Sequence, residues 1–200
     1  MPIESVKIPM FPLRTFMLPG EQMPLCVFEP KYRQLFDEME EENLHFAMPY
    51  KEHNVRYASK CKLVRVTDRT PKGTRDVIVE CVSVHSLISM RDKMKNKLYP
   101  GGEIGPNLID GRREPASIPL LESFADYIEI KFGKRPILAE IIQYKPMDVA
   151  ACIAMSNWDK IRFIQLPNSK AREGMLIGLL KYLHFLYYQE AQAEKGILLN

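Results

Sequence analysis

The sequence predicts an α+β protein: an N-terminal small β-barrel or folded sheet with one inserted helix, followed by a C-terminal helical bundle. Prolines punctuate the first third at Pro2, Pro9, Pro12, Pro19, Pro24 and Pro30. Proline removes a ladder donor, so this stretch is limited to short, interrupted strands. Residues 45 to 108 continue with strand-like apolar runs, and from Ser117 onward apolar residues recur at helical spacing. The 200 residues suffice for one large domain or two small ones, and a hydrophobic fraction of 46% argues against global disorder.

The elements follow in order. Val6 to Leu13 and Met23 to Phe28 read as strands separated by the Pro19-Gly20 turn signal. Pro30 suits a first helical position, and Tyr32, Leu35, Phe36 and Met39 at helical spacing predict an amphipathic helix ending near Asn43. The acids from Asp37 to Glu42 are expected on its solvated face. Strands are expected over Cys61–Val66, Asp76–Val82 and Val84–Met90, with Thr67 to Arg75 as an exposed hairpin loop. Gly101, Gly102, Gly105 and Pro106 are read as breaking the strand pattern.

In the second half, Ser117 is expected to cap a helix carrying Leu121, Phe124, Ile128 and Phe132, stopped by Gly133. Further helices open at Pro146 or Met147 and at Asn157. Ser169 begins the longest, with Leu176, Leu179, Leu180, Leu183 and Tyr187 as its buried stripe. Asp110 to Pro115 read as a polar hinge. The expected division is a β subdomain over residues 1–112 and a helical subdomain over 113–200, ending in a long helix over about 169–195.

Charge is unevenly distributed. The net is only +3, but residues 21–44 carry seven acids against two bases, and residues 51–100 carry twelve Lys/Arg against five acids. The second segment is where a polyanion footprint would lie. No run approaches the roughly 20 apolar residues of a membrane span, and residues 1–13 lack a signal-peptide pattern. Cys26, Cys61, Cys81 and Cys152 are scattered without a CxxC pair, which favours reduced thiols and a cytoplasmic location.

The run Ile8-Pro9-Met10-Phe11-Pro12-Leu13, then Pro19-Gly20, Met23-Pro24-Leu25 and Val27-Phe28-Glu29-Pro30-Lys31-Tyr32 resembles the opening of the substrate-binding N-terminal domain of Lon proteases. That family opens with a similar Phe-Pro-Leu strand, Pro-Gly turn, Leu-Pro-Leu segment and Phe-Glu-Pro-Arg-Tyr helix start. Asp148 to Ala154, Lys160 and Arg172 are weaker landmarks of its helical part. The central glycines of the family are missing over Ala58–Cys61 and Cys81–Leu87. The resemblance implies a PUA-like β-barrel followed by a helical bundle. It also implies a non-catalytic polypeptide-recognition or adaptor module, with unfolded or tagged polypeptides and a separate protease as partners. No cofactor is expected.

The residues offer little chemistry. No phosphate loop is present, because no two glycines have the GxxxxG spacing. There is no GxSxG elbow, and the four histidines form no HxxxH or HExxH pair. Cys61, Cys81 and nearby His85 are weighed as a metal site, with buried thiols preferred. Glu29 is weighed as a general base, with a helix-start role preferred. No catalytic, metal or cofactor residue is expected. Phe16, Met17 and Leu18 are the candidate polypeptide-binding residues, although internal packing is the better reading of them. Tyr182, Phe185, Tyr187 and Tyr188 are read chiefly as core. The alternative function is an RNA-binding PUA-like module using residues 51–100; with only Tyr57 and Tyr99 as aromatics there, a solvated sheet face is preferred.

Overall fold

The computed structural model of the chain describes residues 5–52, 55–71, 73–109 and 115–197, with side chains to residue 193. Of the hinge expected at Asp110 to Pro115, residues 110–114 lie outside them. The described residues form two compact units, residues 5–109 with Ser156–Ile161, and residues 115–155 with 162–197.

The first unit is built on an antiparallel sheet of six strands, β1 (Val6–Pro9), β2 (Gln22–Val27), β3 (His45–Glu52), β4 (Val55–Arg69), β5 (Arg75–Arg91) and β6 (Gly101–Asn107). The order is β1-β6-β5-β4-β3, with β2 paired to the N-terminal half of β5. A parallel bridge between Met10 and Ala47 ties the chain after β1 to β3, so the two ends of the path meet. Between the sheet faces lie Ile8, Met10, Ala47, Ala58, Leu87 and Ile104, all buried. Helix α1 (Pro30–Glu42) lays Tyr32, Leu35, Phe36 and Met39 inward, and Phe11 meets Tyr32, Phe36 and Phe46 at centroid separations of 4.2, 5.9 and 6.0 Å.

Proline sets the start of α1, and Asn43, in the left-handed region at φ 51°, ends it. Two expectations for the sheet need correction. The runs 76–82 and 84–90 are one strand of 17 residues, in which a register shift opposite Lys60 and Cys61 passes over Val82. Gly101, Gly102 and Gly105 do not break a strand; they belong to one. A Cβ at Gly102 would stand 2.2 Å from the Ser89 carbonyl oxygen, and one at Gly105 2.3 Å from the Ser86 hydroxyl. Glycine lets β6 approach β5 this closely.

The second unit comprises α2 (Ile118–Phe132), α3 (Leu138–Ile141), α4 (Pro146–Cys152) and α6 (Ser169–Ile197), together with the end of α5 (Asn157–Gln165). Leu120, Leu121, Phe124, Val149, Ala150, Leu176 and Leu180 are its buried centre. Gly133 closes α2 at φ 76°, its N–H donating to the Glu129 carbonyl. Helix α6 begins at Ser169 as expected, and the cap of α5 is Ser156, one residue before the expected Asn157. Ser156 accepts from the Asp159 amide at 3.1 Å, and Asn168 from the Ala171 amide at 2.9 Å. No helix among the described residues is long and apolar enough to cross a membrane.

Candidate functional site

Strand β2 lies at an edge of the sheet. Its register partners are all on β5, from Gln22 opposite Glu80 to Val27 opposite Arg75. Its burial alternates, with Leu25 partly buried, Val27 fully buried, and Pro24 and Cys26 exposed. Pro24 interrupts the strand's run of backbone donors, a common way to blunt such an edge. Beside it, Phe11, Pro12 and Leu13 from the chain after β1, and Tyr32 from the first turn of α1, complete a mainly apolar groove of about 360 Å³. Phe28, between β2 and α1, also lines the groove and is 65% exposed. A large aromatic left in water beside an apolar groove is the kind of surface that contacts another chain.

Few charges surround this groove. Glu29 is the residue before α1, and its carbonyl accepts from the Tyr32 and Arg33 amides. Its side chain caps nothing and pairs instead with Lys31 at 2.9 Å. The carboxylate beside Lys31 raises that ammonium further above neutrality, and Lys31 Nζ stands 4.7 Å from the Tyr32 ring centroid. Cys26 is exposed, but the Asp76 carboxylate beside it pushes its thiol up, so at neutral pH it is not a thiolate nucleophile.

Phe16, Met17 and Leu18, expected as candidate polypeptide contacts, are buried at 0%, 2% and 0% exposure. Their backbone is fully engaged. Phe16 N–H donates to Asn157 Oδ1 at 3.0 Å, and Met17 N–H to the Ser59 hydroxyl at 3.0 Å. Leu18 N–H reaches Glu21 Oε2 at 2.8 Å. Ser59 returns a bond to the Met17 carbonyl at 2.8 Å, and Lys160 donates to the Phe16 carbonyl at 3.2 Å. This segment is packed inside the unit, whereas the exposed aromatic beside the groove is Phe28. The sequence held one signal for it: Phe28 directly precedes the helix-starting Glu29-Pro30 pair, outside the alternation of β2.

The acids of α1 are not merely solvated, as the sequence reading expected. Arg75, 6% exposed, pairs with Asp37 and, at 2.8 Å, with Glu40. Arg69 pairs with Glu40, and Lys97 with Glu38 at 2.8 Å. Tyr99 donates to Glu38 at 2.5 Å, and Lys62 pairs with Glu80 at 2.9 Å. Three bases of the basic segment, Arg69, Arg75 and Lys97, thus pair with acids of α1 within one unit.

Cys61 and Cys81 face each other as register partners on β4 and β5, both fully buried and both reduced. The neighbouring Cys81 side chain and burial hold the Cys61 thiol well above its ordinary range. His85 is engaged elsewhere: Nδ1 donates to the Gly105 carbonyl at 2.8 Å, which leaves Nε2 to accept from the Ser83 hydroxyl at 2.8 Å. Among the described residues no group of three His, Cys, Asp or Glu is placed to hold a metal ion.

On α6, Tyr187 packs against Tyr127 at 6.0 Å, but Tyr182, Phe185 and Tyr188 are 58%, 53% and 51% exposed. The expectation that this aromatic group is core does not hold: Tyr187 is half-buried and the other three are exposed.

No protein-family model matches the chain, and no curated protein matches it by sequence. Solved structures do match in shape. A Lon N-terminal domain protein from Xanthomonas campestris superposes with a TM-score of 0.63 at 16% identity, covering 86% of this chain and 98% of that one. The fold is that of a Lon N-terminal domain. The N-terminal domain of Mycobacterium avium complex Lon protease superposes at 0.55 and 15% identity, covering 88% of this chain and 98% of the other. The Lon-like fold thus extends over most of the chain, well beyond the opening motif that pointed to it.

Proposed function

We propose that this chain is a non-catalytic polypeptide-recognition module of the Lon N-terminal type, serving as an adaptor for a separate protease. It takes an extended, apolar segment of an unfolded or tagged client in the groove beside β2. The observation that carries this reading is the exposed Phe28 over an apolar groove at a sheet edge. An extended client fits such an edge, supplying backbone partners to β2 and apolar side chains to the groove. The fold shared with Lon N-terminal domains supports the same reading. A cytoplasmic setting suits the reduced thiols.

Fluorescence anisotropy tests it. A labelled unfolded polypeptide is expected to bind saturably and to keep its affinity when salt rises, since apolar contacts are not screened. Phe28→Asp should weaken binding about tenfold or more, because a hydrated carboxylate would replace the aromatic anchor. Absence of saturable binding, or binding indifferent to Phe28→Asp, would refute the groove as the site.

The RNA-binding reading draws less support. Arg69, Arg75, Lys62 and Lys97, four bases of the segment assigned to it, are already paired with carboxylates. A labelled single-stranded RNA in the same experiment separates the two readings.

A further inference from the structure

A second cavity, sharing no residue with the groove, gathers three further bases of the basic segment together with Lys7. Lys7 on β1, Arg91 at the end of β5, and Lys93 and Lys95 in the loop that follows line a space of about 320 Å³. Among the described residues none of the four forms an ion pair, unlike Lys62, Arg69, Arg75 and Lys97 nearby in sequence. Glu103 is the single acid in the lining, so four cations face one carboxylate. Unpaired like charges around one cavity repel, and an anion among them relieves that repulsion.

The loop carrying these lysines is anchored at its far end. Asn96 turns it through the left-handed region at φ 61°, and the Met94 amide donates to the Tyr99 carbonyl at 2.9 Å. Immediately after, Lys97 and Tyr99 are both fixed on Glu38, and the Leu98 amide donates to Gln34 at 3.0 Å. Gly101 and Gly102 complete the lining. A Cβ at Gly101 would stand 2.9 Å from Met94 Cβ, and the close approach of Gly102 to Ser89 described above likewise leaves no room for a side chain. The cavity is thus lined in part by closely packed bare backbone and by Met94, and its lining is mainly apolar despite the cationic rim.

We infer that this cavity binds a small phosphate-bearing ligand, its phosphate held by Lys7, Arg91, Lys93 and Lys95 and its body lying against Met94 and the two glycines. Arg91 suits the planar, paired oxygens of a phosphate, and the lysines add point charge. The volume matches the lower end of small-molecule sites. No aromatic side chain lines the cavity, so it lacks the stacking platform that a single-stranded nucleic acid uses.

The test titrates the full chain with inorganic phosphate, adenosine 5′-monophosphate and adenosine, read by calorimetry and by the amide resonances of Gly101 and Gly102. The monophosphate is expected to bind saturably and more tightly than phosphate, with affinity falling as salt rises, while adenosine alone does not bind. The double variant Lys93→Glu/Lys95→Glu should lose at least about tenfold in affinity without changing the urea midpoint, since both side chains are exposed. Lys134→Glu, an exposed change in the helical unit, should leave binding unchanged. Binding by phosphate but not more tightly by the monophosphate would refute the apolar body site. No saturable response to either phosphate probe, or equal loss in the Lys134 variant, would overturn the assignment. Affinity that appears only with an oligonucleotide and grows with its length would replace it with a nucleic-acid surface.

Discussion

Lys160 holds both carboxylate oxygens of Glu21, at 2.7 and 2.8 Å, and donates as well to the carbonyl of Phe16. The two side chains are 11% and 13% exposed. Glu21 spends one of those oxygens again on the Leu18 amide. The pair thus closes over the buried Phe16–Leu18 segment and ties α5 to the turn before β2.

Breaking that pair from one side should be costly. Lys160→Met leaves a largely buried carboxylate without its cation, and a loss of about 3 kcal/mol is expected. Adding Glu21→Gln removes the orphaned charge while keeping an acceptor for Leu18, so the double variant should recover part of the loss. Urea midpoints of the four proteins in the cycle measure the coupling. Independent, additive losses would contradict the pairing.

Acid should weaken the first unit through Glu38. Burial raises this carboxyl, but the Lys97 ammonium, the Tyr99 hydroxyl and the Gln34 amide outweigh it and hold the group below the ordinary carboxylate range. The folded value lies under the unfolded one, so the contribution is full above about pH 4.3 and is lost as pH falls through the folded value. The stability gap between wild type and Glu38→Gln should be widest at neutral pH and shrink in acid. A gap that stays constant down to acid unfolding would exclude this linkage.

His85 should titrate below the ordinary histidine range. Burial lowers it, the Gly105 carbonyl opposes, and the Lys60 ammonium lowers it further. Its unfolded form takes up a proton first, so this residue's contribution is full above about pH 6.5 and declines as pH falls from there toward the folded value. Lys60→Ala should move the midpoint upward toward the ordinary value, read from the ring resonances. A midpoint unmoved by that change would remove Lys60 as a cause.

Thiol chemistry should divide the cysteines two and two. Cys26 and Cys152 are exposed, whereas Cys61 and Cys81 are at 0%. Maleimide labelling followed by intact mass should add two labels to the native protein and four in denaturant. Labelling of Cys61 or Cys81 under native conditions would show that the β4–β5 pair opens.

Much of the architecture was legible because its signals are local. Pro30 and Asn43 bound α1 through φ preferences that belong to those residues, and Gly133 ends α2 for the same reason. The opening Phe-Pro-Leu, Pro-Gly and Phe-Glu-Pro series pointed to the fold that the superpositions then showed. Caps were less legible. Ser156 and Asn157 are both good capping residues, and which one caps depends on where else each is needed. Asn157 is needed by Phe16 and Arg14, 141 and 143 residues away, so Ser156 caps.

By itself the sequence determined the fold class, the helix boundaries set by proline, asparagine and glycine, and the opening motif. Only the tertiary structure decided which apolar and charged residues remain available to a partner. Phe16 and Phe28 are the same residue type twelve positions apart, yet one is sealed under Asn157 and Lys160 and the other stands in water. Lys62 and Lys97 find carboxylates, while Lys93 and Lys95, in the same basic segment, find a cavity. Propensity and periodicity act over a few residues along the chain, but burial and charge pairing depend on what arrives from across the fold.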